Sequence, residues 1–216
     1  MPLFVLMYNS NMVIEPTLEE EQRLWSEGLS LIGGIDEAGR GSWAGPVVAA
    51  VVVLPKTVKK AKFVRDSKLL SPKKRGELYG TIIEQCSDFG VGIIGHKVID
   101  KVGINEATKM AANDAINMLK TSPEYLLIDA IDLSKHCSIN QKSIIKGDQK
   151  IYSISCASII AKVTRDNLMS NLCEEYKKYE FYSHKGYGTK RHQELLAEYG
   201  PCNIHRFSYA PIRKYL

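Results

Sequence analysis

The chain has 216 residues, 44% apolar and 25% charged, enough for one sizeable domain with a real core, and its composition is neither low-complexity nor fibrous. Lys and Arg number 29 against 24 Asp and Glu, and the resulting formal charge of +5 leans toward a polyanionic partner without histone-like extremity. Five cysteines, odd in number and without CxxC spacing, argue against a disulfide framework or zinc site and for reduced thiols in the cytoplasm. No apolar run approaches the roughly 18 residues of a membrane span.

The segment from Met1 to Pro16 lacks the basic start and cleavage pattern of a secretion signal and reads as a loose arm. Thr17-Leu18-Glu19-Glu20 has the form of a capping box and predicts a helix through Leu24 and Trp25 that Gly28 ends. Leu31 to Asp36 and Val47 to Leu54 are valine- and isoleucine-rich runs joined by a glycine loop, which predicts a buried hairpin. Ser71-Pro72 is an N-cap followed by proline at the first helical position and launches a helix over Lys73 to Cys86.

A strand is predicted over Phe89 to Ile99, a helix over Asn105 to Leu119 and a strand over Tyr125 to Ile128 that ends on Asp129. Ser143 to Ile145 reads as a further short strand. Gly147-Asp148 opens one long helix through Ile151, Ile154, Ala157, Ile160, Ala161 and Leu168, and Thr189 caps a last short helix. Strands first, then alternating helix and strand, predict an α/β fold with a mixed sheet flanked by helices.

Acids recur where these elements end: Asp36 with Glu37, Asp129, and Asp148. Each alone is an ordinary strand end, turn former or helix start. Brought together, carboxylates repel and must take up protons or hold cations, and oxygen donors without a Cys/His cluster favour Mg2+ or Mn2+. Two such ions would support a phosphodiester displacement. Neighbours on a regular strand face opposite sides, so Asp36 and Glu37 converge only if the strand stops or twists, which Gly39 permits. Asp166, about 27 Å from Asp148 along a single helix, is assigned to pairing with Arg165 or a nearby lysine.

IDEAGRGSWAGPVV, DSKLLSPKKR (from Asp66), GINEAT, GDQKIYSISCASIIAKVTRD and HKGYGTKRH, in this order between Ile32 and Ile212, closely resemble the bacterial ribonuclease HII family. The resemblance implies a ribonuclease H-like fold with a small C-terminal helical portion. It also implies endonucleolytic cutting of RNA in RNA–DNA hybrids, including single ribonucleotides embedded in DNA, with two Mn2+ or Mg2+ ions. The family's four metal-binding acids fall on Asp36, Glu37, Asp129 and Asp148, its glycine-arginine-glycine motif on Gly39, Arg40 and Gly41, and its substrate-contacting tyrosine on Tyr187. Glycine at 39 and 41 would let backbone amides approach a nucleotide and read its 2′-hydroxyl, while Arg40 orients the loop or contacts phosphate.

Lys68, Lys185, Lys190, Arg191 and His192 supply positive charge for the nucleic-acid backbone. His184, His192 and His205 read as structural or phosphate-facing. The implied organisation is an N-terminal arm and helix over 1–30, a catalytic core over 31–175, and a C-terminal substrate-binding portion over 176–216, in a monomeric enzyme; APIRKYL at the C-terminus carries no clear sliding-clamp signal.

Two departures from the family pattern are Ala130, where glycine is usual after the acid, and Ser155-Cys156, where small alanines are usual. Cys156 reads as a small buried residue. A related ribonuclease HIII usually carries lysine between the glycines and an added N-terminal DNA-binding domain, features that Arg40 and an arm of about 30 residues do not match. A non-catalytic binder of the same hybrids is the other alternative, and retention of all four acids argues against it.

Overall fold

A computed structural model of the chain describes residues 15–62, 64 and 67–216. Most of the arm read before Pro16, and Asp66 of the DSKLL motif, lie outside the described residues. The chain order is α1 (Glu19–Ser26), β1 (Ile32–Ala38), β2 (Val47–Val53), α2 (Pro72–Gln85), β3 (Asp88–Ile94), α3 (His96–Val102), α4 (Ile104–Asn117), β4 (Tyr125–Asp129) and β5 (Asn140–Ile144). There follow α5 (Gly147–Lys150), α6 (Tyr152–Asn171), α7 (Phe181–His184), α8 (Lys190–Tyr199) and α9 (Ala210–Arg213).

Five strands form one mixed sheet in the order β3-β2-β1-β4-β5, with β1 antiparallel to β2 and parallel to β4. β2, VVAAVVV, is apolar and buried on both faces because helices cover both. On one face Ile35, Val47, Ala49 and Val51 pack with Ala107, Ala111 and Ala115 of α4. On the other, Val48, Ala50 and Val52 pack with Leu78 and Ile82 of α2 and with Cys156, Ala157 and Ile160 of α6. The C-terminal helices bury Phe181, Leu196, Ile204 and Ile212 against Ala44 and Met169.

Several boundaries differ from those the sequence suggests. The capping box does not form: Thr17 spends its backbone on a bridge to Ile151, Leu18 takes the cap position, and Glu20 pairs with Arg23 and Lys142. The strand predicted to reach Ile99 ends at Ile94, and Gly95 starts α3. The long helix predicted from Gly147 is broken at Ile151, whose φ of −113° and ψ of 126° are extended, so α5 is a separate single turn. Thr189 caps α8, accepting from the His192 amide, but α9 follows it. β1 runs on through both acids to Ala38 instead of stopping between them.

Candidate active site

Three strand and helix ends meet at one edge of the sheet. Ile35 pairs with Ile128 in the parallel register of β1 and β4, so the next residues, Asp36 and Asp129, stand side by side. Both share the α6 side of the sheet, Asp36 by alternation with Gly34, whose position abuts Ser153, and Asp129 by alternation with Leu127, which packs on Ile151 and Ile154. Gly147 donates its amide to Asp129 Oδ1 at 2.7 Å, which brings α5 and Asp148 to the same place. One carboxylate oxygen from each of Asp36, Asp129 and Asp148 lies within 4.8 Å of the others.

Glu37 is not part of that trio. On a strand that continues to Ala38 its side chain leaves on the α4 side, and its Oε1 accepts from Arg40 Nη1 at 3.2 Å. Arg40 Nη2 in turn donates to Asn105 Oδ1 at 2.9 Å. Burial, then the charges of Glu37 and Asp129, push the Asp36 carboxyl well above the usual range. Burial also raises Glu37, against the opposing charges of Arg40 and Lys68. Glu37 Oε2 is buried without a hydrogen-bond partner. Crowded anions, an orphaned buried carboxylate oxygen and an all-oxygen donor set together fit a hard divalent cation.

Beside the acids lies a cavity of about 530 Å3 lined by Glu37, Gly39, Arg40, Gly41, Lys68 and Tyr187, together with Ser67, Arg75, Ser158 and Lys162. Lys185 lines a neighbouring groove of about 830 Å3, which shares Arg75, Lys162 and Tyr187 with it. The two loop glycines have different reasons. At Gly39 (φ +95°) a Cβ would come within 2.0 Å of Arg165 Nε, whereas at Gly41 nothing lies within 4 Å and the residue is exposed. Internal packing therefore accounts for Gly39, and the open surface at Gly41 leaves room for an external group.

The loop between β1 and β2 is gripped from below by two buried arginines that sequence reasoning did not single out as anchors. Arg165, from α6, donates to the carbonyls of Pro46, Lys185 and Ala44 at 2.9 to 3.1 Å. Arg206 donates to those of Gly45, Arg40 and Pro46 at 2.9 to 3.1 Å. Arg165 is fully buried, and that burial lowers its guanidinium pKa to about 10. Asp166 pairs with Lys162 at 2.8 Å and Arg75 at 3.5 Å, confirming a pairing role but not with Arg165.

Tyr187 sits on a loop bridged to Ser42, with Lys162 Nζ 4.9 Å and the Arg165 guanidinium 5.2 Å from its ring centre. Its flanking glycines are set by neighbours: a Cβ at Gly188 would meet the Trp43 ring at 2.2 Å, and one at Gly186 would meet the Ala44 carbonyl at 2.7 Å.

His192 does not belong with the surface cations. It is fully buried, and burial pushes its pKa down to about 3; it donates to the Tyr187 carbonyl and meets His205 at 3.0 Å. Arg191 is engaged by Glu180 on the exposed side of α8. Lys162, Arg75 and Asn105 lie inside the motifs ASIIAKVTRD, DSKLLSPKKR and GINEAT, the signal that could have marked them.

A β3-β2-β1-β4-β5 sheet with carboxylates at the ends of adjacent parallel strands defines a metal-dependent nuclease of the ribonuclease H-like class. The family model described as Ribonuclease HII matches residues 33–212, and the chain belongs to that family. It is 48% identical to Ribonuclease HII of Caldicellulosiruptor bescii and 45% identical to that of Caldicellulosiruptor saccharolyticus, each over 195 residues, covering 90% of this chain and 94% of the relative. The crystal structure of ribonuclease H2 from Pyrococcus horikoshii OT3 superimposes with a TM-score of 0.74 at 31% identity, over 86% of this chain and 96% of that one. The protein is thus a metal-dependent endoribonuclease of the kind that acts on RNA–DNA hybrids.

Proposed function

We propose that the enzyme hydrolyses the RNA strand of hybrids and also cuts on the 5′ side of single ribonucleotides embedded in duplex DNA. Two Mn2+ or Mg2+ ions would be held by Asp36, Glu37, Asp129 and Asp148. The observation that carries this reading is the meeting of three carboxylate oxygens within 4.8 Å, next to a cavity bordered by the glycine loop and Tyr187. When bound, the ions supply Lewis-acid stabilisation of the charge that builds on the phosphate during hydrolysis.

The protein's own residues do the rest. Asp36 and Asp129 are pre-aimed, each accepting a backbone amide at 2.7 Å from Glu37 and Gly147 respectively. The Gly39-Arg40-Gly41 backbone reads the 2′-hydroxyl, with the bare Cα of Gly41 letting the sugar approach. Arg40, held by Glu37 and Asn105, keeps the loop in place. Tyr187 stacks on the deoxyribose that follows the ribonucleotide, and Lys68 and Lys185 meet backbone phosphates.

In this reading residues 176–216 form the substrate-binding portion on a core of 31–175, in a monomer acting in cytoplasmic ribonucleotide repair. Among the described residues no helix is long and apolar enough to cross a membrane.

The test is a DNA duplex carrying one ribonucleotide, incubated with and without Mn2+ or Mg2+. A metal-dependent nick 5′ to the ribonucleotide that leaves a 3′-hydroxyl supports the proposal. Cutting confined to long RNA tracts, or tight binding without product, overturns it.

A further inference from the structure

The break between α5 and α6 leaves backbone groups without helical partners, because Ile151 is extended at the point where one helix ends and the next begins. A segment that precedes the family match supplies them. The Thr17 amide donates to the Lys150 carbonyl at 2.9 Å, and the Tyr152 amide donates to the Thr17 carbonyl at 2.9 Å. The Ser153 amide donates to Glu21 Oε1 at 2.8 Å. Glu21 is 1% exposed, an uncommon placement for a carboxylate, and its other oxygen has no hydrogen-bond partner.

Two further contacts tie the same segment to both sides of the break. Leu24 is buried with Ile151 and Ile154 on the α6 side and with Ile32 and Leu127 of the sheet. Glu20 pairs with Lys142 of β5 at 2.9 Å. Between these anchors, β5 and α6, hangs only the single turn α5, which carries Asp148.

We propose that Pro16–Glu27 is an active-site brace, in which Glu21 and Thr17 are positioning residues that hold the α5–α6 break and so aim Asp148 at Asp36 and Asp129. The inference deepens the metal reading and rests on it. A continuous helix would not need the brace. A broken one, with its freed amides unmet, would let α5 turn and spread the cluster. Groups that orient a metal ligand typically change metal affinity by about 10- to 100-fold when removed, and that range sets the size of the expected effect.

The experiment compares the full-length parent with Glu21→Ala, Glu21→Gln and Thr17→Pro, the last deleting the amide that bonds Lys150. Mn2+ binding is measured by calorimetry on the metal-free proteins, alongside amide exchange over residues 148–153 and cleavage as a function of Mn2+ concentration. The brace predicts about tenfold weaker Mn2+ binding and faster exchange at 148–153 in Glu21→Ala and Thr17→Pro, with cleavage recovering at saturating Mn2+ and Glu21→Gln close to the parent. Parental Mn2+ affinity in the folded variants, even with a lowered melting temperature, would show that the segment only supports the fold and would overturn the proposal. If Glu21→Ala does not fold, Thr17→Pro decides. A parent that binds no Mn2+ would instead overturn the metal reading beneath it.

Discussion

Asp36 and Asp129 occupy the positions immediately after the Ile35–Ile128 pair of two parallel strands, so their carboxylates share an edge and a face of the sheet without any loop to bring them there. Such proximity costs stability while the anions are uncompensated, since burial and the neighbouring charges drive Asp36 well above its ordinary range. Asp36→Asn and Asp129→Asn are therefore expected to lower turnover by about 10^2- to 10^3-fold, in keeping with the loss of an electrostatic element of the site. In metal-free buffer they should melt no lower than the parent. Turnover within tenfold of the parent in either variant would contradict the assignment; steady-state cleavage and thermal unfolding provide both readings.

The two loop glycines separate a packing role from a contact role. Gly39→Ala is expected to cost about 3 kcal/mol, because the new methyl would displace Arg165 from the Pro46 carbonyl at a residue with φ +95°. Gly41→Ala should leave stability within about 0.5 kcal/mol. It should raise KM for a hybrid about tenfold, the equivalent of one lost hydrogen bond. Denaturant unfolding and cleavage kinetics together distinguish the two, and the reverse pattern would be fatal to the reading of Gly41.

Beneath Tyr187 three histidines are locked as neutral rings. His192 Nδ1 donates to the Tyr187 carbonyl, leaving its Nε2 to accept from His205, whose Nδ1 accepts the Cys202 amide. His184 Nε2 donates to the Tyr179 carbonyl. Burial depresses His192 to about 3 and His205 to about 4, below the 6.5 of an exposed ring. For groups depressed in the folded state, the stabilisation is present above pH 6.5 and is lost as pH falls toward their folded values. Unfolding free energy should drop by about 2 kcal/mol for each of His192 and His205 between pH 7 and 5. His192→Asn should flatten this dependence, and an unchanged slope in urea melts across that range would count against the neutral network.

Ala130 follows Asp129 with φ of +53°, a left-handed conformation that a methyl group disfavours. Replacing it with glycine is expected to raise stability by about 0.5 to 1 kcal/mol with little change in turnover, since the side chain is exposed. A lower melting temperature for Ala130→Gly would show that the strain is compensated elsewhere.

What could be read from the sequence follows from how local each decision is. The hairpin, α2 with its Ser71 cap, α4 and the acids at element ends were legible because hydrophobic period and cap chemistry act over a few residues. The break at Ile151 was not, since the apolar pattern runs through it and the interruption is held by Thr17 and Glu21 from the start of the chain. The end of β3 was hidden in the same way: Val98 and Ile99 continue the apolar run, but Gly95 turns it into α3. The anchoring roles of Arg165 and Arg206 were not legible, because nothing local announces that a loop will present its carbonyls to them. The divergence of Glu37 from Asp36 was a stated condition of strand geometry, and the strand's continuation to Ala38 decided it.

Anomalous diffraction from crystals of the protein grown with Mn2+ tests the central assignment most directly. The account predicts a manganese peak with oxygens of Asp36, Asp129 and Asp148 among its direct ligands, at about 2.2 Å, close to the distances usual for hard divalent ions. Manganese bound elsewhere, with these three carboxylates turned away from it in a crystal form that still cuts substrate, would contradict it.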